Sequence, residues 1–212
     1  MDAISLLKQD HRNVAGLVEQ FEKTGGKAFK TKGTLIGKLT VELVRHMAVE
    51  EQLFYPMARE RLGDEGEHMT LEALEEHHLV KVLLKELEGM EPTSERYEAK
   101  VTVLKDVFEH HVHEEEEQLF PMAQKKLTKT ELAELGERLE AKKKTAPSRP
   151  DPYASDVPTR RRPAAERGRI TATAAAARTT KTGRGTKTTV AGKRTTSRAA
   201  KSSASRSRPK KR

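Results

Sequence analysis

Helical apolar stripes in this chain carry histidine and glutamate at their centre, and they do so twice in register. One stripe reads Leu39, Leu43, His46, Glu50, Phe54, Met57. Another, displaced by 65 at every member, reads Leu104, Phe108, His111, Glu115, Leu119, Met122, and Pro56 and Pro121 share the displacement. A second pair, displaced by 66, sets Ile4, Leu7, His11, Val14, Val18, Phe21 against Thr70, Ala73, His77, Val80, Leu84, Leu87. Steps of three and four mark one face of a helix. Four such faces in two repeated hairpins predict an all-α fold, an up-down antiparallel four-helix bundle.

Loop chemistry breaks the pattern from Thr24-Gly25-Gly26 onward, at Gly63-Asp64-Glu65-Gly66, and from Gly89 to Ser94 with Pro92. The helices are therefore expected over 2–24, 34–62, 67–89 and 95–127. Thr128-Lys129-Thr130-Glu131 reads as an N-cap and predicts an additional helix within 128–144. Pro56 and Pro121 fall inside helical pattern, which predicts either the last turns of their helices or a bend there.

Charge divides the chain. Residues 1–144 hold 22 Lys+Arg against 29 Asp+Glu, whereas residues 145–212 hold 19 against 3. The later segment has one Ile, two Val and a single aromatic, Tyr153, too little apolar surface to offset chain entropy. It is expected to be a disordered Lys/Arg/Thr/Ala-rich tail. Runs such as Arg160-Arg161-Arg162 predict sequence-independent, salt-sensitive nucleic-acid binding through phosphates, since no interleaved aromatics can stack on bases. A solubilising tail, or one that meets acidic membrane or protein surfaces, is the competing reading.

The chain contains no cysteine, which excludes disulfides, zinc–thiolate sites and thiol nucleophiles. Its start lacks a basic segment followed by a long apolar stretch, and no apolar run approaches the ~18 residues of a membrane span. The expectation is a soluble, cytoplasmic protein without membrane insertion, associated with the nucleoid if the tail meets DNA.

A carboxylate buried in an apolar stripe costs several kcal/mol unless a cation or hydrogen bonds compensate it. The stripes offer no Lys or Arg to Glu50 and Glu115; they offer histidines. His46/Glu50 and His111/Glu115 are i, i+4 pairs rising ~6 Å along one face, so each can aim a nitrogen and an oxygen at a common point. A lone histidine on an apolar face is ordinarily a hydrogen-bonded core residue, but four at repeated depths with two glutamates point to metal. The candidate ligands are His11, His46, Glu50, His77, His111 and Glu115. His110 and His113 lie roughly 100° and 200° around the helix from the stripe. With the remaining acids of Glu109 to Glu117 they read as a solvated face; His78 and His68 read as surface residues, and the stripe Met and Leu residues as core.

Lined up, His11, His46-Met-Ala-Val-Glu50, His77 and His111-Val-His-Glu-Glu115 closely resemble the hemerythrin-like, or HHE cation-binding, family over residues 1–127. Glu50 to Pro56 and Glu115 to Pro121 strengthen the likeness. The resemblance implies two non-haem iron ions as cofactor, His11 and His46 on one, His77 and His111 on the other, Glu50 and Glu115 bridging, with O₂, peroxide or nitric oxide as small ligand. The family's oxygen carriers have a further histidine where this chain has Ala73. Six protein ligands remain, the freed positions falling to water or to a group such as Glu72 or Glu76. That loss favours peroxide or iron chemistry, as an enzyme or a sensor, over reversible O₂ carriage; a metal-independent nucleoid protein is a third reading.

Overall fold

The computed structural model describes residues 1–154; residues 155–212, and with them most of the expected tail, lie outside the described residues. The described residues are all helical between short loops, in the order α1 (Ala3–Glu22), α2 (Phe29–Val49), a π-helical turn (Glu50–Phe54), α3 (Tyr55–Arg61), α4 (Gly63–Glu88), α5 (Tyr97–Glu114), a second π-helical turn (Glu115–Leu119), α6 (Phe120–Lys126) and α7 (Lys129–Lys143). Because α2 and α3 continue through the first π turn, and α5 and α6 through the second, the bundle has four long rods with α7 added.

Neighbouring rods run antiparallel. His11 of α1 faces His46 of α2 while Phe21, near the other end of α1, lies under Lys32 at the start of α2. Likewise His77 faces His111 while Glu86 pairs with Lys100. Glu51 meets Lys81, and Arg59 meets Glu67, between the second and third rods. Glu22–Lys105 and His11–Glu116 close the square between the first and fourth.

Local sequence explains the ends. Asp2 caps α1, its carboxylate accepting from the Ser5 N–H at 3.0 Å, and Thr128 with Glu131 forms a reciprocal capping box for α7, which begins where that motif predicts. The second rod starts at Phe29, earlier than expected, because its first turn shows little inward apolar pattern. The third also starts early: Gly63 alone, at φ 74°, makes the left-handed step, leaving Asp64 and Glu65 in the first helical turn, where acidic charge suits the helix dipole.

Pro56 and Pro121 fall in the last two turns of their rods, which end at Arg61 and Lys126, and each follows a widened turn. The Tyr55 N–H donates to the Glu50 carbonyl and the Phe120 N–H to the Glu115 carbonyl, five residues back in each case. Proline has no N–H to donate and its ring clashes with the carbonyl four residues earlier, and one widened turn accommodates both. Each π turn opens on an inward glutamate.

α7 lies beside α1 and the second rod: Lys143 reaches Asp10 at 2.6 Å, Arg61 pairs with Glu131, and Leu132, Leu135 and Leu139 are buried. Residues 145–154, which composition assigns to the tail, are anchored on α4, where Pro152 O lies 2.9 Å from His78 Nδ1 and Arg149 lies near Glu88. Among the described residues no helix is long and apolar enough to cross a membrane.

Gly136 of α7 meets the chain start so closely that a Cβ would lie 2.3 Å from Met1 O and 2.8 Å from Ala3 N, whereas Gly16 of α1 has open space. Gly136→Ala is expected to destabilise by about 1–3 kcal/mol through overpacking. Gly16→Ala is expected to stabilise by about 0.5–1 kcal/mol. Denaturant unfolding measures both, and like signs would contradict this packing of α7.

Candidate metal centre

Two apolar clusters fill the bundle. One includes Leu7, Val49, Ala73 and Leu119; the other includes Val14, Leu43, Val80 and Phe108. Between them the stripes put a polar layer of His11, His46, Glu50, His77, His111 and Glu115, each at most 4% exposed. All six sequence candidates are thus brought together.

Their inward atoms converge. His11 Nε2 lies 3.1 Å from His46 Nε2, and His77 Nε2 lies 3.3 Å from His111 Nε2. Glu50 Oε2 sits 3.1 Å from His46 Nε2 and 3.4 Å from His77 Nε2, touching one histidine of each pair. Glu115 Oε2 does the same, 3.4 Å from His11 Nε2 and 3.5 Å from His111 Nε2. Two donor groups result, His11/His46/Glu50/Glu115 and Glu50/His77/His111, each with ligand atoms within 4.8 Å of one another.

An outer ring of carboxylates faces the other ring nitrogens. His11 Nδ1 is 2.9 Å from Glu116, His77 Nδ1 2.9 Å from Glu51, His111 Nδ1 2.9 Å from Glu76, and His46 Nδ1 3.7 Å from Asp10. Asp10 matches Glu76 at the 66 displacement and Glu51 matches Glu116 at 65, so the ring obeys the hairpin repeat. Carboxylates at Nδ1 favour the tautomer with its proton there, leaving Nε2 lone pairs inward.

Lone pairs so close repel unless a cation or proton lies between them. Both oxygens of Glu50 and Oε2 of Glu115 are buried without a hydrogen-bond partner. Burial and the Glu115 charge push Glu50 well above the carboxylate range. Burial also acts to raise Glu115, but His111 and His11 outweigh it and hold that carboxyl low. Burial drops His46 to about 4 and depresses His77, the latter aided by His111. For His111, burial is outweighed by the Glu115 charge and the Glu76 hydrogen bond, and its pKa rises. Four imidazole nitrogens and two carboxylates, with no thiolate, fit a borderline divalent cation such as iron, manganese or zinc.

Two sequence readings change. Glu116 does not belong to a merely solvated face: it holds the buried His11 imidazole, as the buried Glu51 holds His77. Glu76 accepts from the outward nitrogen of His111, and Glu72 is exposed. A further polar group at the inward nitrogen of His77 is Tyr55, whose hydroxyl lies 3.2 Å from His77 Nε2 and donates to Glu115 Oε1 at 3.0 Å. Burial and the Glu115 charge keep this phenol protonated. The repeat-related residue is Phe120, which stacks on His11 with centroids 5.8 Å apart. The two halves are therefore inequivalent.

The hemerythrin HHE cation binding domain model matches residues 2–123. A hemerythrin-like protein of Schizosaccharomyces pombe is 31% identical over 117 residues, 55% of this chain and 58% of that one. A DNA nickase of Nostoc sp. is 27% identical over 120 residues, 57% of this chain and 33% of that one. The chain thus aligns with well under two thirds of either relative's length. The crystal structure of a hemerythrin HHE cation binding domain-containing protein from Mycobacterium kansasii superposes with a TM-score of 0.59 at 27% identity, covering 68% of this chain and 86% of that one.

Burial and the Glu115 charge favour the protonated form of Glu50, so a cation bound there competes with a proton. Metal uptake at neutral pH is therefore expected to release protons and to weaken as pH falls. Potentiometric titration in weak buffer checks this, and Glu50→Gln should release about one proton fewer. Glu116→Ala is expected to lower metal affinity about 10- to 100-fold. Glu117→Ala, an exposed neighbour, should leave affinity unchanged in a competition assay.

Proposed function

The chain belongs to the hemerythrin HHE cation-binding family, and from that premise we propose that its bundle holds two non-haem iron ions and uses them on peroxide, with O₂ or nitric oxide as related small ligands. The observation that carries this reading is the convergence of four Nε2 atoms on two carboxylates that each touch both histidine pairs. In this proposal His11 and His46 would hold one ion and His77 and His111 the other, with Glu50 and Glu115 shared between them. Iron bound there supplies one-electron redox chemistry and coordination positions for a small oxidant.

The chain's own residues set the conditions. The outer carboxylates orient the imidazoles and raise their basicity. The apolar clusters on either side, with Phe54 and Phe120 among the most buried side chains, exclude bulk water. The Tyr55 hydroxyl keeps a proton beside Glu115 and His77, and Ala73 contributes no donor. That combination supports turnover of a small ligand over tight, reversible O₂ storage.

The basic segment supports a second element, sequence-independent DNA contact, because residues 145–212 carry 19 Lys+Arg against 3 Asp+Glu. The relative that is a DNA nickase agrees with work at DNA. An iron site held there would consume peroxide where its damage matters most.

Metal analysis should find two irons per chain, and the iron-loaded protein should convert peroxide to O₂ and water. The double variant His46→Ala, His111→Ala should lose both iron and turnover but keep DNA binding. A stable oxygenated complex with no peroxide consumption would overturn the peroxide reading. DNA affinity should fall steeply with salt, by about 0.9 log units per log unit of salt for each phosphate contact, and should be lost on truncation after Ala154. Undiminished binding by that truncated chain would remove the tail from the proposal.

A further inference from the structure

Three of the four carboxylates that face the histidine Nδ1 atoms are backed by a lysine: Lys143 lies 2.6 Å from Asp10, Lys81 2.7 Å from Glu51, and Lys8 3.2 Å from Glu116. Each of these three quarters of the centre thus runs outward from imidazole to carboxylate to ammonium. The fourth quarter departs from the rule. Behind Glu76 stands no lysine or arginine among the described residues, but His110, its Nε2 3.5 Å from Glu76 Oε1 and 3.7 Å from Glu114 Oε1. Two carboxylates and an imidazole there leave a negative charge in the position that a cation occupies in the other three quarters.

We infer that Glu76, His110 and Glu114 form an outer divalent-cation site that completes the fourth quarter. Two helices build it, Glu76 from α4 and the i, i+4 pair His110/Glu114 from α5. The three ligand atoms lie within 4.8 Å of one another. Nitrogen and oxygen ligands of a zinc-like ion stand ~2.0–2.2 Å from it, hence at most about 4.4 Å from each other, so small side-chain adjustments suffice. Exposure grades across the cluster, the side chains being 12% exposed at Glu76, 28% at Glu114 and 59% at His110. One edge is therefore open to solvent while the other is fixed by the hydrogen bond that Glu76 Oε2 accepts from His111 Nδ1.

The donor set takes a hydrated transition cation, with water filling the remaining positions. An ion on Glu76 Oε1 sits across one carboxylate from His111, next to the donor group with fewer protein ligands. The site is thus placed to gather a cation at the surface and to bias His111, and its existence does not depend on which ions the buried layer prefers.

The full-length chain, equilibrated by dialysis against excess Zn²⁺ and analysed for total metal, should hold one ion more than the double variant His110→Ala, Glu114→Gln. His113→Ala, exposed on the same helix but outside the cluster, should match the unaltered chain. His46→Ala should lose buried zinc and keep the outer ion, so a failure of the two-ion reading is counted separately. Equal zinc content in the unaltered chain and the double variant would overturn the outer site.

Discussion

Glu50 and Glu115 are buried between two apolar clusters, and among the described residues neither forms an ion pair with a lysine or arginine. Desolvating a carboxylate costs several kcal/mol even after relaxation, which pushes Glu50 toward its protonated form and leaves Glu115 dependent on His111 and His11. A cation shared by both carboxylates and four inward nitrogens reverses the sign of that cost. The rest of the structure is organised around this charge: imidazoles inside, carboxylates behind them, and lysines behind three of those carboxylates.

Secondary structure serves the same layer. Each π turn begins at a bridging candidate, Glu50 or Glu115. The residue after it, Glu51 or Glu116, meets an imidazole of the opposite hairpin. A regular α-helix turns about 100° per residue, so adjacent side chains do not normally face one site. The widened turn beside each proline helps two consecutive glutamates act on the same centre. α7 contributes by a different route, since Lys143 holds Asp10 against His46 from outside the four rods.

Much of this was legible from residues alone. Stripe phase singled out the six inward donors, because burial forces period-3.6 regularity on them, and Thr128 with Glu131 announced α7. The outer ring escaped the same logic. Asp10, Glu51, Glu76 and Glu116 sit one residue from an inward position, where phase assigns a side chain to solvent. Their signal was the repeat itself, which relates Asp10 to Glu76 and Glu51 to Glu116 as faithfully as it relates the histidines. Tyr55 escaped because it lies one residue off the stripe and its partner in the repeat, Phe120, has no hydroxyl; only the fold shows the Tyr55 hydroxyl turned toward Glu115. The two π turns carry a proline mark but no period of their own.

The hairpin repeat thus supplies two nearly equivalent half-sites that differ at Tyr55 against Phe120 and in what backs the outer carboxylates. The most direct test of the central claim is a crystal structure of the iron-loaded chain with anomalous scattering recorded at the iron edge. Two iron peaks are predicted within the polar layer, one bonded to His11 and His46 and the other to His77 and His111, with Glu50 and Glu115 reaching both. A single peak, or metal bound only outside this layer, would contradict the account.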